Sequence, residues 1–553
     1  MASVERTQLF AGLRVTSFGT LASRLLGMVR DMATAALLGL SGDGVMDAFV
    51  VAFRIPNLFR RLFGEGALAA SYLPVLTDRL ERNRQQAWQL ASVTLVWLAV
   101  ILAGVTILAE AGCAIAWRLY GDAPGMKLLL GLSAVMLPYL FFICLAAQVS
   151  GTLHALAHFS TPALAPTLLN ICWLAAIWLV APQLTDDKQL QAYVLASAVL
   201  VAGALQLAVQ LPVLRQLGFR FDYNWQASRD GVRQIVRSMG PMTLGLAITQ
   251  INSFFDSLLA WGLAAPADGA ESIAWLGGAV SYPLQQGAAA AIYYGERLYQ
   301  FPLGLLGMAV ATVIFPALSR HAARGQHDRL GEDLTLGLRL VLFLGVPAGA
   351  GLVLISEPLA RLLFQHGEFT ADDATRVARM IRCYGIGVWA YCAAPVVVRG
   401  YYALGDQKTP LKAGFAAMLA NLILNAALVW PLAEAGLALS TSLAAMLQTG
   451  LLLLLFSRRL GVLGWADLGR TGAVTAASTA AMGLVGYASL ACIPQAPGWS
   501  DEIAGVLIPL ALCSAVFAVT SRWLRAPEWE LLLSRNPRAA QGTQSETSEL
   551  KRP

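Results

Sequence analysis

Charged residues are scarce in this chain. Only 13% of its 553 residues are Asp, Glu, Lys or Arg, whereas 57% are hydrophobic. Soluble domains carry about 25% charged residues, so this composition predicts an integral membrane protein. The net charge of +6 comes from basic residues spread over short loops between apolar runs. That distribution argues against nucleic-acid binding.

Common motifs of catalysis and metal binding are also missing. The chain has no GxxxxGK[ST] loop for nucleotide phosphates, no CxxC pair and no HExxH pair of zinc ligands. Its seven cysteines lie in or beside apolar runs, which favours small core residues over a disulfide framework. Asp47, Glu357 and Glu368 are candidate catalytic acids, but no base or metal ligand accompanies them. The sequence therefore predicts that the protein is not an enzyme.

Apolar runs long enough to cross a bilayer recur along the whole chain. They predict an all-α, polytopic membrane protein with about 14 transmembrane helices. The predicted spans cover residues 10–40, 45–72, 87–112, 128–153, 163–181, 190–211, 240–263, 288–318, 335–355, 380–403, 413–431, 435–456, 471–492 and 503–523. Lys and Arg concentrate in alternate loops, which predicts that both termini are cytoplasmic. The loop with Arg361 and Arg376 fits this alternation least well.

Short matches relate two parts of the chain to each other. Leu73–Thr77 resembles Phe315–Ser319, Ala155–Pro162 resembles Ala403–Pro410, and Arg215–Gly218 resembles Arg458–Gly461. The matches lie 242, 248 and 243 residues apart. They predict an N-terminal six-helix lobe at 1–215, a C-terminal six-helix lobe at 216–460, two additional helices at 461–524 and a polar cytoplasmic tail at 525–553. Two lobes with an even number of helices share one orientation and leave a central cleft.

The first two apolar runs contain charges that lipid would not tolerate. Between residues 10 and 72 lie Arg24, Arg30, Asp31, Asp47, Arg54, Arg60, Arg61 and Glu65. Each charge at a bilayer centre costs about 2.5 to 3.5 kcal/mol, so we expect these side chains to line a polar cavity. A guanidinium group binds phosphate oxygens in bidentate geometry. An excess of arginine therefore predicts an anionic cargo, such as a pyrophosphate.

Helical spacing leaves two questions open in these runs. Arg61 and Glu65 are four residues apart, so Arg61 is either a cargo ligand or the intrahelical partner of Glu65. Arg24 and Arg30 lie about 120° apart on a straight helix. A break at Gly27 would let both side chains reach one cavity.

Polar residues in later spans form a second candidate site. Asp256 is the acid of span seven, Asn421 and Asn425 are one turn apart in span eleven, and Thr441 lies in span twelve. Such oxygen ligands suit a small hard cation. Polar contacts between helices are an equally good interpretation.

Several motifs support a resemblance to a known family. They are Thr20–Asp31 (TLASRLLGMVRD), Asp47–Phe49 (DAF), Pro56–Ala67 (PNLFRRLFGEGA), Pro162–Asn170 (PALAPTLLN), Tyr294–Leu298 (YGERL) and Phe364–Thr370 (FQHGEFT). With these residues the chain resembles, from about 10 to 525, the MurJ (MviN) family of lipid II flippases in the MOP exporter superfamily. The resemblance implies two six-helix lobes with two extra helices. It also implies alternating-access transport of an undecaprenyl-pyrophosphate-linked peptidoglycan precursor across the inner membrane.

The same resemblance implies which residues bind the cargo and a cation. The resemblance implies that Arg24, Arg30, Arg60 and Arg297 hold the cargo and that the acids Asp31, Asp47 and Glu65 orient or neutralise them. Ser23 and Arg61, which lie in the same motifs, complete the predicted substrate-binding residues. The implied sodium ligands are Asp256, Asn421, Asn425, Thr441 and the carbonyl of Leu437, with Asn425 standing where a second carboxylate can occur. Sodium is thus the one cofactor that the resemblance implies. The implied partners are lipid II, membrane lipids and other proteins of cell-wall synthesis.

Two alternatives and one departure remain. A flippase for another polyprenyl-pyrophosphate-linked oligosaccharide would need the same pyrophosphate recognition. A cation-coupled drug antiporter of the superfamily would favour acidic cavity residues, which the arginine excess argues against. The segment at 262–289 is longer than the corresponding family loop, and the sequence assigns it no role.

Overall fold

Helices account for nearly all of the regular structure. The computed structural model describes residues 2–64, 67–123, 125–266, 272–273, 280–461, 463–492 and 499–533. The α-helices within these ranges are α1 (Ala2–Leu38), α2 (Val45–Phe59), α3 (Ala67–Arg82), α4 (Arg84–Tyr120), α5 (Met126–Met136), α6 (Tyr139–Ala155), α7 (Ser160–Ala175), α8 (Ala181–Leu184), α9 (Lys188–Gln216), α10 (Trp225–Gly262), α11 (Ala288–Pro302), α12 (Met308–Ala323), α13 (His327–Leu354), α14 (Ser356–Phe364), α15 (Ala371–Ala403), α16 (Lys408–Leu432), α17 (Glu434–Leu460), α18 (Trp465–Cys492), α19 (Trp499–Trp523) and α20 (Glu528–Leu533). The predicted all-α fold is confirmed.

Many of these helices are long and apolar enough to span a bilayer. In lipid every backbone polar group must find its partner within the protein, which a continuous helix achieves by itself. Within the described ranges, eleven helical segments meet the length and composition of a membrane span. Predicted spans one, two and seven fall on α1, α2–α3 and α10, which contain many of the charges noted above. The chain is therefore a multi-pass membrane protein, and the total of 14 spans stays a prediction.

Some spans are interrupted by π-helical turns. One π-turn, at Arg60–Gly64, directly follows α2. A second, at Ala176–Val180, joins α7 to α8, and a third, at Leu303–Gly307, joins α11 to α12. A π-turn holds one residue more than an α-turn and alters the helix direction locally. Pro56 precedes the first turn and Pro302 the third. Proline has no N–H to donate, so a nearby π-turn can take up the lost hydrogen bond.

The chain forms two compact units. The first comprises Met1–Tyr293 and Leu363–Asp373, and the second Tyr294–Leu362 and Ala374–Pro553. In the first unit, α1 packs on α7, and α9 packs on both α6 and α7. In the second, α16 pairs with α17, α18 pairs with α19, and α18 lies on α13. The predicted lobe boundaries stay predictions.

The residues after α19 pack against other helices of the second unit. Glu528, at the start of α20, is fully buried and accepts hydrogen bonds from Arg339 Nε at 3.0 Å and Nη2 at 2.9 Å. Thr471 Oγ1 donates to the same carboxylate at 2.6 Å. The Trp529 ring stands edge-on to Phe343 at 5.8 Å. The first residues of the predicted tail thus join α20 to α13 and α18, while 534–553 lie outside the described residues.

Candidate functional site

Arg30 lies at the centre of a buried polar network in the first unit. Its guanidinium donates to Asp31 Oδ1 from Nη2 at 2.7 Å and from Nε at 3.1 Å. Nη1 donates to Asn170 Oδ1 at 3.1 Å, and Nη2 also reaches the Tyr293 hydroxyl at 3.4 Å. The guanidinium carbon lies 4.6 Å from the centre of the Trp173 ring. Every part of this cation is therefore in contact with a partner that favours its charge.

The partners of Arg30 are themselves held by further hydrogen bonds. Tyr293 Oη donates to Asp31 Oδ1 at 3.0 Å. Asn170 Nδ2 donates to the Ser23 carbonyl at 3.0 Å, which ties α7 to α1. A charge pair buried to this degree keeps its place only when the other polar atoms are satisfied too. The network fixes the direction of Arg30 and joins α1, α7 and α11.

The structure separates Arg24 from Arg30. Helix α1 runs without a break through Gly27, so the question of an interruption of span one is answered: none is observed. A single glycine costs a helix only about 1 kcal/mol. The two arginines are six residues apart on a straight helix and point to different sides of it. Arg24 is exposed, whereas Arg30 is 6% exposed. Ser23 lies beside Arg24 and is half-buried, with its carbonyl bonded to Asn170.

Asp47 has a structural partner at the start of α11. Its carboxylate is buried and accepts hydrogen bonds from the backbone N–H groups of Gly287 at 2.7 Å and Ala290 at 2.8 Å. The first N–H groups of a helix lack intrahelical partners, and a carboxylate there also complements the helix dipole. Gly287 has φ of +87°, a conformation that glycine adopts without strain. Asp47 thus caps a helix that begins 240 residues later in the chain.

The arginines of the second predicted span lie toward α10 or on the π-turn. Arg54 Nη1 donates to the Ser253 carbonyl at 3.1 Å, and Arg61 Nη1 donates to Gln250 Oε1 at 3.2 Å. Arg60 opens the π-turn, and its Nε donates to Asn57 Oδ1 at 3.0 Å. Glu65, the expected partner of Arg61, lies outside the described residues. Arg61 therefore contacts α10, and its predicted pairing with Glu65 stays a prediction.

Arg297 belongs to the second unit. It lies half-buried on α11, directly after the buried Glu296. One half-turn further along, the Tyr299 ring stacks on Tyr391 at 4.5 Å and lies 5.0 Å from Tyr384. These rings fix the last turns of α11 against α15, and so they limit where the Arg297 backbone can move.

The predicted cation ligands are divided between the units. In the second unit Asn425 Nδ2 donates to Asn421 Oδ1 at 2.9 Å, and Asn421 Nδ2 donates to Thr441 Oγ1 at 3.3 Å. Thr441 Oγ1 donates to the Leu437 carbonyl at 3.0 Å. Four of the five predicted ligands therefore lie together. Asp256 belongs to the first unit, where Asn252 Nδ2 donates to its carboxylate at 3.3 Å.

Sequence reasoning missed three members of the Arg30 network. Asn170 was only part of a family motif, and Tyr293 and Trp173 were not singled out. The one available signal was an amide and two amphipathic aromatic residues inside apolar runs, where polar groups need partners. Their common partner was not visible, because Asn170 and Tyr293 lie 140 and 263 residues from Arg30.

The fold of this chain is similar to the folds of known transporters. Among solved structures, a lipid II flippase MurJ in an inward closed conformation aligns with a TM-score of 0.72 at 22% identity, over 92% of this chain and 97% of that one. An inward-facing multidrug resistance MATE family transporter of the MOP superfamily aligns with a TM-score of 0.62 at 14% identity, over 79% and 94%. The chain thus has the fold shared by these two classes of transporter.

Sequence comparison is more specific than the fold. The family model described as lipid II flippase MurJ matches residues 34–501. The probable lipid II flippase MurJ of Vibrio cholerae is 35% identical over 463 residues, which cover 81% of this chain and 83% of the relative. The lipid II flippase MurJ of Burkholderia cenocepacia is 33% identical over 464 residues, covering 82% and 84%. The chain belongs to the MurJ family, and the resemblance noted in the sequence is confirmed.

Proposed function

We propose that this protein is a lipid II flippase, which moves the undecaprenyl-pyrophosphate-linked peptidoglycan precursor from the cytoplasmic to the outer leaflet of the inner membrane. The observation that carries this proposal is membership of the MurJ family over residues 34–501. The relatives from Vibrio cholerae and Burkholderia cenocepacia bear the name of that activity. Translocation leaves the cargo covalently unchanged, so no catalytic residue is required.

The arginines would hold the anionic part of the cargo. Arg24 and Arg60 in the first unit and Arg297 in the second are the proposed ligands of the pyrophosphate, because guanidinium donors match phosphate oxygens in pairs. Arg61 and Glu65 are the other proposed cargo-binding residues of the second span. A guanidinium stays charged throughout a transport cycle, so binding would not depend on proton uptake.

Arg30, Asp31, Asp47 and Ser23 have a different proposed part in cargo binding. Asp31 holds Arg30 in one orientation through two hydrogen bonds to a single oxygen. Asp47 fixes the start of α11, on which Arg297 also lies. Ser23 neighbours Arg24, and its carbonyl anchors Asn170. These residues would set the positions of the side chains that meet the cargo.

Alternating access is the proposed mode of transport. Two six-helix lobes, at 1–215 and 216–460, would rock about the cargo, and the two additional helices at 461–524 would hold the polyprenyl tail. Both termini would lie in the cytoplasm, where Arg-rich loops are expected. Arg361 and Arg376, which fit this topology least well, pair with Glu357 at 2.7 Å and with Glu434 at 2.7 Å. Such pairing offsets the positive charges of these two residues, which lie on α14 and α15.

A sodium ion is a proposed coupling partner. In the second unit the side chains of Asn421, Asn425 and Thr441 and the carbonyl of Leu437 are linked by hydrogen bonds of 2.9 to 3.3 Å. This set of neutral oxygen donors fits a small hard cation, and Asp256 would add one formal negative charge. Bound sodium would supply a positive charge that depends on the transmembrane gradient. Either that gradient or the membrane potential would drive transport.

Two other cargoes compete with lipid II. Another polyprenyl-pyrophosphate-linked oligosaccharide would present the same pyrophosphate to the same arginines. A drug antiporter is favoured by one observation, the fold shared with a multidrug resistance MATE family transporter. The arginines of α1, α2 and α11 weigh against a cationic drug, because like charges repel.

Complementation tests this proposal directly. A bacterial strain depleted of its own lipid II flippase would receive wild-type protein, with membrane levels measured by immunoblotting. Rescue of growth and cell shape supports the proposed cargo. A well-expressed wild-type protein that fails to rescue, yet restores a strain lacking a flippase for another polyprenyl-linked oligosaccharide, would transfer the proposal to that cargo.

A further inference from the structure

Two of the π-turns occupy equivalent positions of the internal repeat. The turn in span two covers Arg60–Gly64 (RRLFG) and the turn in span eight covers Leu303–Gly307 (LGLLG). They lie 243 residues apart, within the range of offsets of the sequence repeat, and each ends in glycine. Arg54 and Arg297 stand six residues before these turns, at the same offset. The turn at Ala176–Val180 has no such counterpart, because α16 is continuous at the equivalent residues.

A buried cysteine meets each of the two turns. In the first unit Cys144 Sγ lies 3.9 Å from the carbonyl oxygen of Phe59, the residue before the π-turn. In the second unit a Cβ on Gly307 would lie 2.8 Å from Cys392 Cα and 3.0 Å from its carbonyl oxygen. Cys144 and Cys392 are 248 residues apart, which is one of the repeat offsets. A buried cysteine therefore lies beside a π-turn in each unit, next to the residue before the turn in the first unit and next to the last residue of the turn in the second.

The second unit shows how closely the helices approach at this point. Gly345 of α13 faces the same part of α15, where an added Cβ would lie 3.3 Å from Trp389 Cα. Glycine at a crossing allows two backbones to approach, as small residues do generally between membrane helices. Gly307 of the π-turn in span eight and Gly345 of α13 therefore both approach the backbone of α15 closely, with no side chain of their own in between.

We propose that the two π-turns are paired hinges, about which spans two and eight bend during transport. Each turn packs against a cysteine of a neighbouring helix, Cys144 in the first unit and Cys392 in the second. A π-turn has weaker and less regular hydrogen bonds than the α-helix on either side, so bending there breaks the fewest good bonds. Hinges that absorb domain motion are short segments of this kind, between rigid elements. The proposal rests on the proposed function, because it assigns the bending to the alternating-access cycle.

The sharpest perturbation removes the hinge without altering the flanking faces. Deletion of Leu305 takes out the one extra residue of the turn and restores a continuous α-helix. Gly307→Ala is a milder change, which places a methyl group against Cys392. The matched control is Gly486→Ala, where the new methyl would meet the end of the Leu354 side chain and, at 2.6 Å, Cys513 Sγ. This crossing of α18 with α13 and α19 involves none of the three π-turns described above.

Binding and translocation are measured separately for each purified variant. Titration with fluorescent lipid II in detergent gives binding, and quenching of its headgroup fluorescence in proteoliposomes gives translocation. We expect both hinge variants to bind within about twofold of wild type but to translocate at least about tenfold more slowly, while Gly486→Ala translocates as wild type. Normal translocation by the Leu305 deletion would overturn the proposal. So would equal losses of binding and translocation, which indicate a purely structural role.

Hydrogen–deuterium exchange tests the hinges without any cargo. In wild type we expect the amides of 303–308 to exchange at least about tenfold faster than those of 310–315 in the same span, and we expect Leu305 deletion to remove this difference. Uniformly slow exchange across 303–315 would overturn the hinge proposal. Failure of wild type to translocate lipid II, with fast exchange intact, would instead overturn the proposed cargo.

Discussion

Replacing Glu528 should destabilise the contact between α20 and the helices it joins. The carboxylate is fully buried and accepts from Arg339 and Thr471, and the Arg339 side chain is 14% exposed. Removing one partner of a buried ion pair typically costs about 3 to 5 kcal/mol, because the other charge stays buried. Arg339 retains some solvent contact, so we expect Glu528→Ala to cost about 3 kcal/mol, the lower end of that range.

Unfolding of the purified protein in detergent measures this cost. Titration with SDS, followed by tryptophan fluorescence, would give the free energy of unfolding of Glu528→Ala beside Glu530→Ala. Glu530 is exposed on the same short helix, and its removal should change stability by less than about 0.5 kcal/mol. A double-mutant cycle with Arg339→Ala should give a coupling energy of at least about 1 kcal/mol.

Two outcomes would refute this reasoning. If Glu528→Ala and Glu530→Ala unfold alike, α20 does not hold the second unit together. If Glu528→Ala is destabilised but shows no coupling to Arg339, the cost comes from lost packing rather than from the ion pair.

Two further perturbations follow from contacts in each unit. Asp47→Ala should cost about 2 kcal/mol, because it leaves two buried N–H groups at the start of α11 without an acceptor. The control is Asp43→Asn at an exposed site, which should be nearly neutral in the same SDS titration because asparagine tolerates the left-handed φ of +47° there. Burial raises the pKa of Asp406, but hydrogen bonds from Thr409 and Arg459 outweigh burial and hold that pKa below its ordinary value. Its ionised form therefore stabilises the fold above about pH 4, and the effect fades as pH falls through the lowered pKa. Asp406→Asn should lower the melting temperature at about pH 7 more than at about pH 3, and equal shifts would contradict this assignment.

Composition and hydropathy were sufficient to predict the fold class. Long apolar runs must become helices in lipid, so the all-α architecture and most span positions follow from backbone hydrogen bonding alone. The motif Thr20–Asp31 likewise identified the family. Signals of this kind arise from residues that are close together in the chain, so they can be read from a single sequence.

Contacts between distant segments could not be predicted in this way. Asp47 caps α11, and this contact could not be predicted because its partners Gly287 and Ala290 are 240 residues or more away; its predicted part in cargo binding stays a prediction. The sequence left open whether Gly27 interrupts α1; the helix is continuous there, because the packing of α1 on α7 outweighs the small cost of one glycine. Cys144 is buried as expected, yet its contact with a π-turn required the structure.

Translocation by the purified protein tests the central claim most directly. Wild type, Arg24→Lys, Arg60→Lys and Arg297→Lys would be reconstituted with fluorescent lipid II, with Arg324→Lys at an exposed helix end as the matched control. Lysine keeps the charge but loses the bidentate geometry, so we expect each of the three variants to fall at least about tenfold while the control equals wild type. Wild-type rates in all three variants would show that these arginines do not hold the cargo. A wild-type protein that leaves lipid II in its original leaflet would contradict the account itself.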